Sequence, residues 1–486
     1  MDQPKDDEIA LARRLLLVVG LAFLVLQLFA FSLDRPPSWD EAIYLSQVAP
    51  GADALPFVPS RARGITFLAA PVLQLGGSLV HVRLFLAVAS AVAMTAAFRS
   101  WAKVIGLGAV AAAVLFAGAW PALFYGSELM PNLWVALTAV AATAILARRL
   151  MTGEGRYDEL LAGGLVAVTA LLRPLDAVVL AAALILLPIA VRRATIAWTV
   201  HVVLGLVAGW LPWLVEMIGR FGSPAKAFTA AARLGHTGRW ALLENVHQYL
   251  ALSDGPSIGP VAEPHVPASG ILWLLGMTAL VIVGVRAAAG ARLLPSLVVP
   301  TATGAALAAE YIVFTDAQAP RFLLPALALL AIPAGLGFRW IVDQARDRRQ
   351  ARTGRWLAIV AASALVVGSV FFQVGIATRL EASVTQQRAS AQRAGSRVRV
   401  FAGRGPCLVY SEVSFPIVGY AAGCRAAPID NVVRAWPERA ARLERDGVRP
   451  FLVLHRTEQP TVPEGASPLA KIPSDGQASW FIYGIG

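Results

Sequence analysis

Leu15-Leu-Leu-Val-Val-Gly-Leu-Ala-Phe-Leu-Val-Leu-Gln-Leu-Phe-Ala-Phe-Ser-Leu33 runs directly into Asp34-Arg-Pro-Pro-Ser-Trp-Asp-Glu-Ala-Ile-Tyr44. The first stretch has no charge and is close to the roughly 20 apolar residues that cross a bilayer. No small-residue cleavage site follows it cleanly, so it reads as an uncleaved anchor and not as a signal peptide. The second stretch sets two adjacent carboxylates, Asp40 and Glu41, just beyond the anchor. Ser38 and Glu41 have the spacing of a capping box, which predicts a short surface helix there.

Similar apolar runs recur at 82–98, 106–124, 133–147, 159–172, 175–191, 195–217, 269–285, 293–314, 322–341 and 356–376, which with the first makes about eleven. The chain is 57% hydrophobic and only 15% charged, with mean hydropathy +0.63. A soluble domain carries about a quarter charged residues, and a disordered chain is poor in apolar residues. Both classes are excluded. The net charge of +12 does not imply nucleic acid, because the basic residues punctuate hydrophobic runs and do not form one face.

Basic residues also predict orientation. With eleven spans, the segments 1–14, 99–105, 148–158, 192–194, 286–292 and 339–355 fall on one side and carry 18 Lys and Arg. That side is the cytoplasm by the positive-inside rule. The rule inverts if the weaker stretch 64–79 is also a span, so 64–79 is expected as an interfacial or re-entrant helix. The prediction is a polytopic α-helical membrane domain, 1–376, with the N-terminus inside and long outer loops at 34–81 and 218–268. A soluble extracytoplasmic α/β domain, 377–486, follows it.

In that tail, strands are predicted at Val398–Phe401, Cys407–Tyr410, Phe451–Leu454 and Trp480–Tyr483. Helices are predicted at Pro416–Ala422 and Pro437–Asp446. Both cysteines, Cys407 and Cys424, lie here. In an oxidising compartment they read as a disulfide; the alternative is two buried thiols.

Candidate chemistry clusters in the predicted outer segments. Asp40 and Glu41 are a candidate base and ligand, or simply acids that suit the first turn of a helix. Glu128, in Tyr125-Gly-Ser-Glu-Leu-Met-Pro-Asn132, is the acid of the next outer turn. Arg173, in Leu171-Leu-Arg-Pro-Leu-Asp176, and Arg321, in Asp316-Ala-Gln-Ala-Pro-Arg-Phe-Leu-Leu-Pro325, sit in tight hairpins. Each either holds a lipid phosphate by charge-assisted bonds or snorkels to headgroups. Arg61, Arg63, His81 and Arg83 add positive charge beside the first loop. The loop 218–268, with His236, Arg239, Trp240, His247, Tyr249, Asp254, Glu263 and His265, reads as a cover or acceptor-binding segment. Its histidines are too far apart for a local zinc motif. P-loop, nucleophile-elbow and zincin patterns are missing.

Trp39-Asp40-Glu41 with Tyr44, Glu128, the Arg173-Pro174 hairpin, the Pro320–Pro325 run and a soluble tail together resemble the GT-C superfamily of polytopic glycosyltransferases. They are most similar to the branch of protein O-mannosyltransferases and lipid A aminoarabinose transferases. The resemblance implies a polyprenyl-phosphate sugar donor and a glycan, glycolipid or protein acceptor, with transfer on the outer face. Asp40 then matches the catalytic base, Arg173 and Arg321 hold the departing phosphate, and Arg61 and Arg63 support it. Tyr44, His81, His247 and Tyr249 are expected around the substrates. Relatives use the position of Glu128 to hold the acceptor or a divalent metal, although the Asp-X-Asp form is absent here. Asp40, Glu128 and Arg173 are expected to line one cavity open to lipid. The competing reading is a transporter or flippase. It predicts ionisable residues at the bilayer midplane and repeated halves, whereas the span interiors here are almost free of charge, with Glu216 and Glu310 near ends.

Overall fold

The computed structural model describes all residues except 1–3, 51–53, 56, 59–60, 154, 233–241, 255–263, 291–292, 316–317, 347–351, 413, 430–435, 462, 475–477 and 486. In chain order the first helices are α1 (Asp6–Ala30), α2 (Trp39–Ser46), α3 (Thr66–Gln74), α4 (Leu79–Ile105), α5 (Gly108–Ala117), α6 (Trp120–Gly126) and α7 (Pro131–Thr152). Next come α8 (Asp158–Leu172), α9 (Pro174–Ala190), α10 (Ile196–Phe221), α11 (Pro224–Ala232), α12 (Leu242–Ala251), α13 (Ala268–Gly290), α14 (Leu294–Phe314), α15 (Leu324–Arg346) and α16 (Arg352–Ala402). The tail adds β1 (Cys407–Ser411), α17 (Phe415–Ala422), β2 (Arg425–Pro428), α18 (Trp436–Arg445), β3 (Arg449–Arg456), β4 (Ala466–Pro473) and β5 (Ser479–Ile485). The chain divides into two compact units. One comprises 1–31, 59–64 and 84–380, and the other 32–58, 65–83 and 381–486.

All eleven apolar runs are helical, but they are not eleven like spans. Among the described residues, seven helices are long and apolar enough to cross a membrane. The run 106–124 is α5 and α6, bent by 70°. The bend falls at Gly118-Ala119, where Ala119 is extended before Trp120-Pro121 opens the next helix. The runs 159–172 and 175–191 form α8 and α9, of 15 and 17 residues. The last, 356–376, belongs to the 51-residue α16.

Within the larger unit, α7 and α15 are central. α15 packs against α5, α7, α13 and α14, and α8 packs against α7, α9 and α10. Glycines bring backbones together, as small residues do between membrane helices. A Cβ on Gly205 of α10 would lie 2.0 Å from the Gly163 carbonyl oxygen of α8, and one on Gly284 of α13 would lie 1.8 Å from the Pro333 oxygen of α15.

In the smaller unit, five strands form one sheet in the order β2-β1-β3-β5-β4. β1 pairs parallel with β2 and β3, and β5 pairs antiparallel with β3 and β4. Trp436 and Ala440 of α18 pack with Tyr410, Leu452, Leu454, Phe481 and Tyr483 of the sheet. The strand expected at Val398–Phe401 is instead the end of α16. Its Val-Arg-Val-Phe alternation suits a strand, yet Ala391, Ala394, Val398 and Ala402 are all buried. That spacing is a helical stripe, and its packing decides the outcome. α2 and α3 belong to this same unit, and α2 packs against α17.

Candidate functional site

In the smaller unit, Ser38 caps α2. Its Oγ accepts from the Glu41 N–H, and the Glu41 carboxylate accepts from the Ser38 N–H, both at 3.2 Å. The two adjacent acids then diverge. Glu41 is fully buried and gripped by Arg83, Nη2 to Oε2 at 2.5 Å and Nε to Oε1 at 3.2 Å. Arg83 also donates to the carbonyls of Leu33 (3.1 Å), Pro36 (3.3 Å) and Arg35. Burial works against the charge on Glu41, but Arg83, helped by Arg35 and Arg388, outweighs it and holds the carboxyl below its usual value. Asp40, one residue earlier, stays half-exposed in the first turn of α2. Tyr44 is buried with its ring 6.0 Å from that of Phe57. His81 is exposed, and its Nδ1 accepts from the Ser78 N–H at 3.2 Å.

In the larger unit, Pro174 opens α9 and leaves Arg173 at its N-cap in extended conformation. The Arg173 Nε donates to Asp176 Oδ1 at 3.0 Å and its Nη2 donates to the Tyr311 hydroxyl at 2.5 Å. Tyr311 in turn donates to the same Asp176 oxygen. The ring of Tyr311 stacks on Phe322 at 5.0 Å and 15°. Arg173 lies 5.2 Å from the Phe322 ring centre and Arg321 lies 4.9 Å from it, so one aromatic ring gathers both guanidinium groups. Tyr249 is buried nearby. Burial pushes its phenol well up, and Arg321 and Arg173 oppose that shift. Asp176 Oδ2 beside Arg173 and Glu310 Oε2 beside Tyr311 in the chain are among the buried carboxylate oxygens with no hydrogen-bond partner among the described residues.

The turn Pro320–Leu323, which carries Arg321, packs against α6 and α7. Those helices flank Glu128, which is fully buried in a turn closed by Met130 N–H to the Glu128 carbonyl at 2.8 Å. Arg63 is tied to Glu216 at 2.8 Å, and Arg61 precedes the buried Ala62, which packs on Trp213 and Met217. His247 is exposed on α12. Asn245 of the same helix donates to the Ile312 and Thr315 carbonyls at 3.0 and 2.8 Å, which fixes Tyr249 near the end of α14. His236, Arg239, Trp240 and Glu263 lie outside the described residues.

The larger unit therefore brings Arg173, Arg321 and Tyr249 together. It also adds Asp176, Tyr311 and Phe322, which the sequence reading passed over. Asp176 stood in plain view three residues after Arg173, a helical spacing. Nothing in the local pattern pointed to Tyr311. Two guanidinium groups beside one ring suit an anion with several oxygens, above all a phosphate. Among the described residues no three His, Cys, Asp or Glu side chains come together to hold a metal ion.

No family model matches the chain, and no curated protein does. Solved structures do. ArnT from Cupriavidus metallidurans bound to undecaprenyl phosphate matches at TM-score 0.66 and 13% identity, over 96% of this chain and 97% of that one. The oligosaccharyltransferase AglB from Archaeoglobus fulgidus, in complex with an inhibitory peptide and a dolichol-phosphate, matches at 0.58 and 12%, over 90% and 69%. The arabinofuranosyltransferase AftD from Mycobacteria matches at 0.51 and 15%, over 98% of this chain and 40% of that one. At such identities the likeness establishes the fold. The chain is a polytopic helical membrane protein with the GT-C fold and a small C-terminal sheet domain.

Proposed function

We propose that this chain is a membrane glycosyltransferase that moves a sugar from a polyprenyl-phosphate donor to an acceptor hydroxyl, with inversion, on the extracytoplasmic face. The fold supports it, as do the undecaprenyl phosphate and dolichol-phosphate bound by two structures of that fold. The observation that carries it is the contrast between Asp40 and Glu41. Glu41 is fully buried in its cap and against Arg83, while Asp40, one residue earlier in the same first turn, is half-exposed. A general base must come within hydrogen-bond reach of the acceptor hydroxyl, which an acid that is not fully buried can do.

In this reading the Asp40 carboxylate takes the proton from the acceptor hydroxyl as its oxygen forms a bond to the anomeric carbon. The bond from that carbon to the phosphate oxygen breaks on the opposite side, and its electron pair leaves with the polyprenyl phosphate. Arg173 and Arg321 bind the phosphate, whose charge grows as the bond opens. Glu128 orients the acceptor, and α12, with His247 and Tyr249, borders the lipid-linked headgroup. Arg61 and Arg63 contribute positive potential, and Tyr44 and His81 shape the segment around α2.

The test is a donor screen. Purified full-length protein in lipid nanodiscs is incubated with labelled polyprenyl-phosphate sugars and candidate acceptors, beside Asp40→Asn. The expected result is release of polyprenyl phosphate by the wild type and its loss in Asp40→Asn. Equal release by both would remove Asp40 from the mechanism, and no release from any donor would count against the reading as a whole.

A further inference from the structure

α17 has eight residues and cannot stand alone, since short helices are marginal in water. It has no side-chain N-cap, and Ser414 before it adopts a left-handed conformation at φ 57°. Three things hold it. β1 and β2 pair in parallel and α17 is the crossover between them, in a connection only a little longer than the minimum for such a unit. Cys407, at the start of β1, and Cys424, just after the helix, form a disulfide with Cα atoms 4.9 Å apart, so α17 sits inside a covalent loop of sequence separation 17. Finally, α17 lies against α2.

That last contact is specific. The Phe415 ring meets the edge of Trp39 at 4.8 Å and 78°, and Trp39 is the residue before Asp40. Gly419 lets the helix close on both sides: a Cβ there would lie 3.1 Å from Leu55 Cδ2 and 2.4 Å from Ala426 Cβ. Burial and the Glu41 carboxylate push the Tyr420 phenol up, and Arg83 opposes that shift. α2 is thus held both by Arg83 and by a helix of the tail.

We infer that α17 is the element that positions Asp40, with Phe415 as a positioning residue and the Cys407–Cys424 bridge as the clamp that keeps α17 closed. On this inference the tail is a working part of the transfer machinery and not a detachable recognition module, and full turnover requires the oxidised chain. The consequence for turnover rests on Asp40 being the base; the mechanical coupling of α17 to α2 does not.

The test uses the full chain in nanodiscs with two readouts. Hydrogen exchange of the amides of 39–46 is followed in the wild type, in Phe415→Ala, in Phe415→Tyr and in the wild type reduced by a phosphine. The phosphine is oxidised to its oxide, with water supplying the oxygen and two protons, as the disulfide takes up two electrons to give two thiols. Exchange across 39–46 is expected to rise at least tenfold in Phe415→Ala and on reduction, to stay near wild type in Phe415→Tyr, and to be unchanged in α7. With the donor found in the screen, kcat should fall at least tenfold in Phe415→Ala while the donor KM moves less than twofold, and Phe415→Tyr should restore it. If Phe415→Ala does not fold, Phe415→Leu takes its place. Unchanged exchange across 39–46 after reduction and in the Phe415 variant overturns the inference. So does wild-type kcat in that variant alongside an inactive Asp40→Asn. Activity surviving in Asp40→Asn overturns the assignment of the base instead, and the exchange result still decides the coupling.

Discussion

Arg83 and Glu41 form a two-pronged ion pair with both side chains fully buried, 42 residues apart in the chain and joined at 2.5 Å and 3.2 Å. Arg83 stands in the first turns of α4, Glu41 in the first turn of α2. Removing one partner of such a pair strands the other charge, which costs about 3–5 kcal/mol. Arg83→Met is therefore expected to destabilise the smaller unit by about that much. Glu41→Gln, which keeps the Ser38 cap contact and most of the volume, should cost less. Thermal unfolding in nanodiscs, followed by the Trp signals of the smaller unit, measures both. Equal melting of Arg83→Met and wild type would show that the pair adds nothing.

The same pair makes stability depend on pH. The Glu41 carboxyl is held below its ordinary value of 4.5, so the unfolded chain binds a proton there more readily than the folded one. The stabilisation is complete above pH 4.5 and is lost as pH falls through the lower folded value. Acid unfolding of the smaller unit should start just below that point, and Glu41→Gln should flatten the dependence. A wild-type curve as flat as that of Glu41→Gln would contradict the assignment.

Arg173 is fixed by Asp176 and Tyr311 before any ligand arrives. Losing the guanidinium should reduce transfer by about 100-fold or more, the usual effect of removing a charge-stabilising donor. Tyr311→Phe keeps the stack on Phe322 but loses the hydroxyl. A hydrogen bond to a charged group is worth about 1.5–3 kcal/mol, so the donor KM should rise by about tenfold or more. A decrease in kcat at unchanged KM would instead indicate that Tyr311 acts on the chemical step.

The features legible in the sequence were the local ones. The Ser38–Glu41 cap, the apolar helices, the Arg173-Pro174 hairpin and three of the five strands could be read from short windows, although the window at 398–401 misled. β2 and β4 were missed because they carry Pro428 and Pro468, which argue against a strand. Both lie at the edges of the sheet, the place where a strand tolerates proline. The partners of the candidate residues were not legible. Arg83 reads as the start of an apolar run, Tyr311 as one more aromatic in a span, and Phe415 as part of a separate domain. Each is joined to its partner by tertiary packing across 42 to more than 370 residues, and one sequence carries no periodic signal at that range.

Gly163 and Gly164 test whether the close helix contacts hold the larger unit together, because adjacent residues of one type have opposite surroundings. A Cβ on Gly163 would fall 2.4 Å from the His201 carbonyl oxygen, whereas one on Gly164 would meet nothing within 4 Å. The clash at Gly163 involves backbone, so α8 and α10 would have to separate, and overpacking of this kind typically costs about 1–3 kcal/mol. At Gly164 the added methyl removes backbone freedom from the unfolded chain and favours helix by up to about 1 kcal/mol. Gly163→Ala should therefore melt several degrees below wild type, and Gly164→Ala at or slightly above it. Because both substitutions add the same atoms to the same helix, any general effect on insertion or expression should be common to both, and only contact with α10 should separate them. Equal melting of the two variants would mean that the α8–α10 contact is looser than the structure has it.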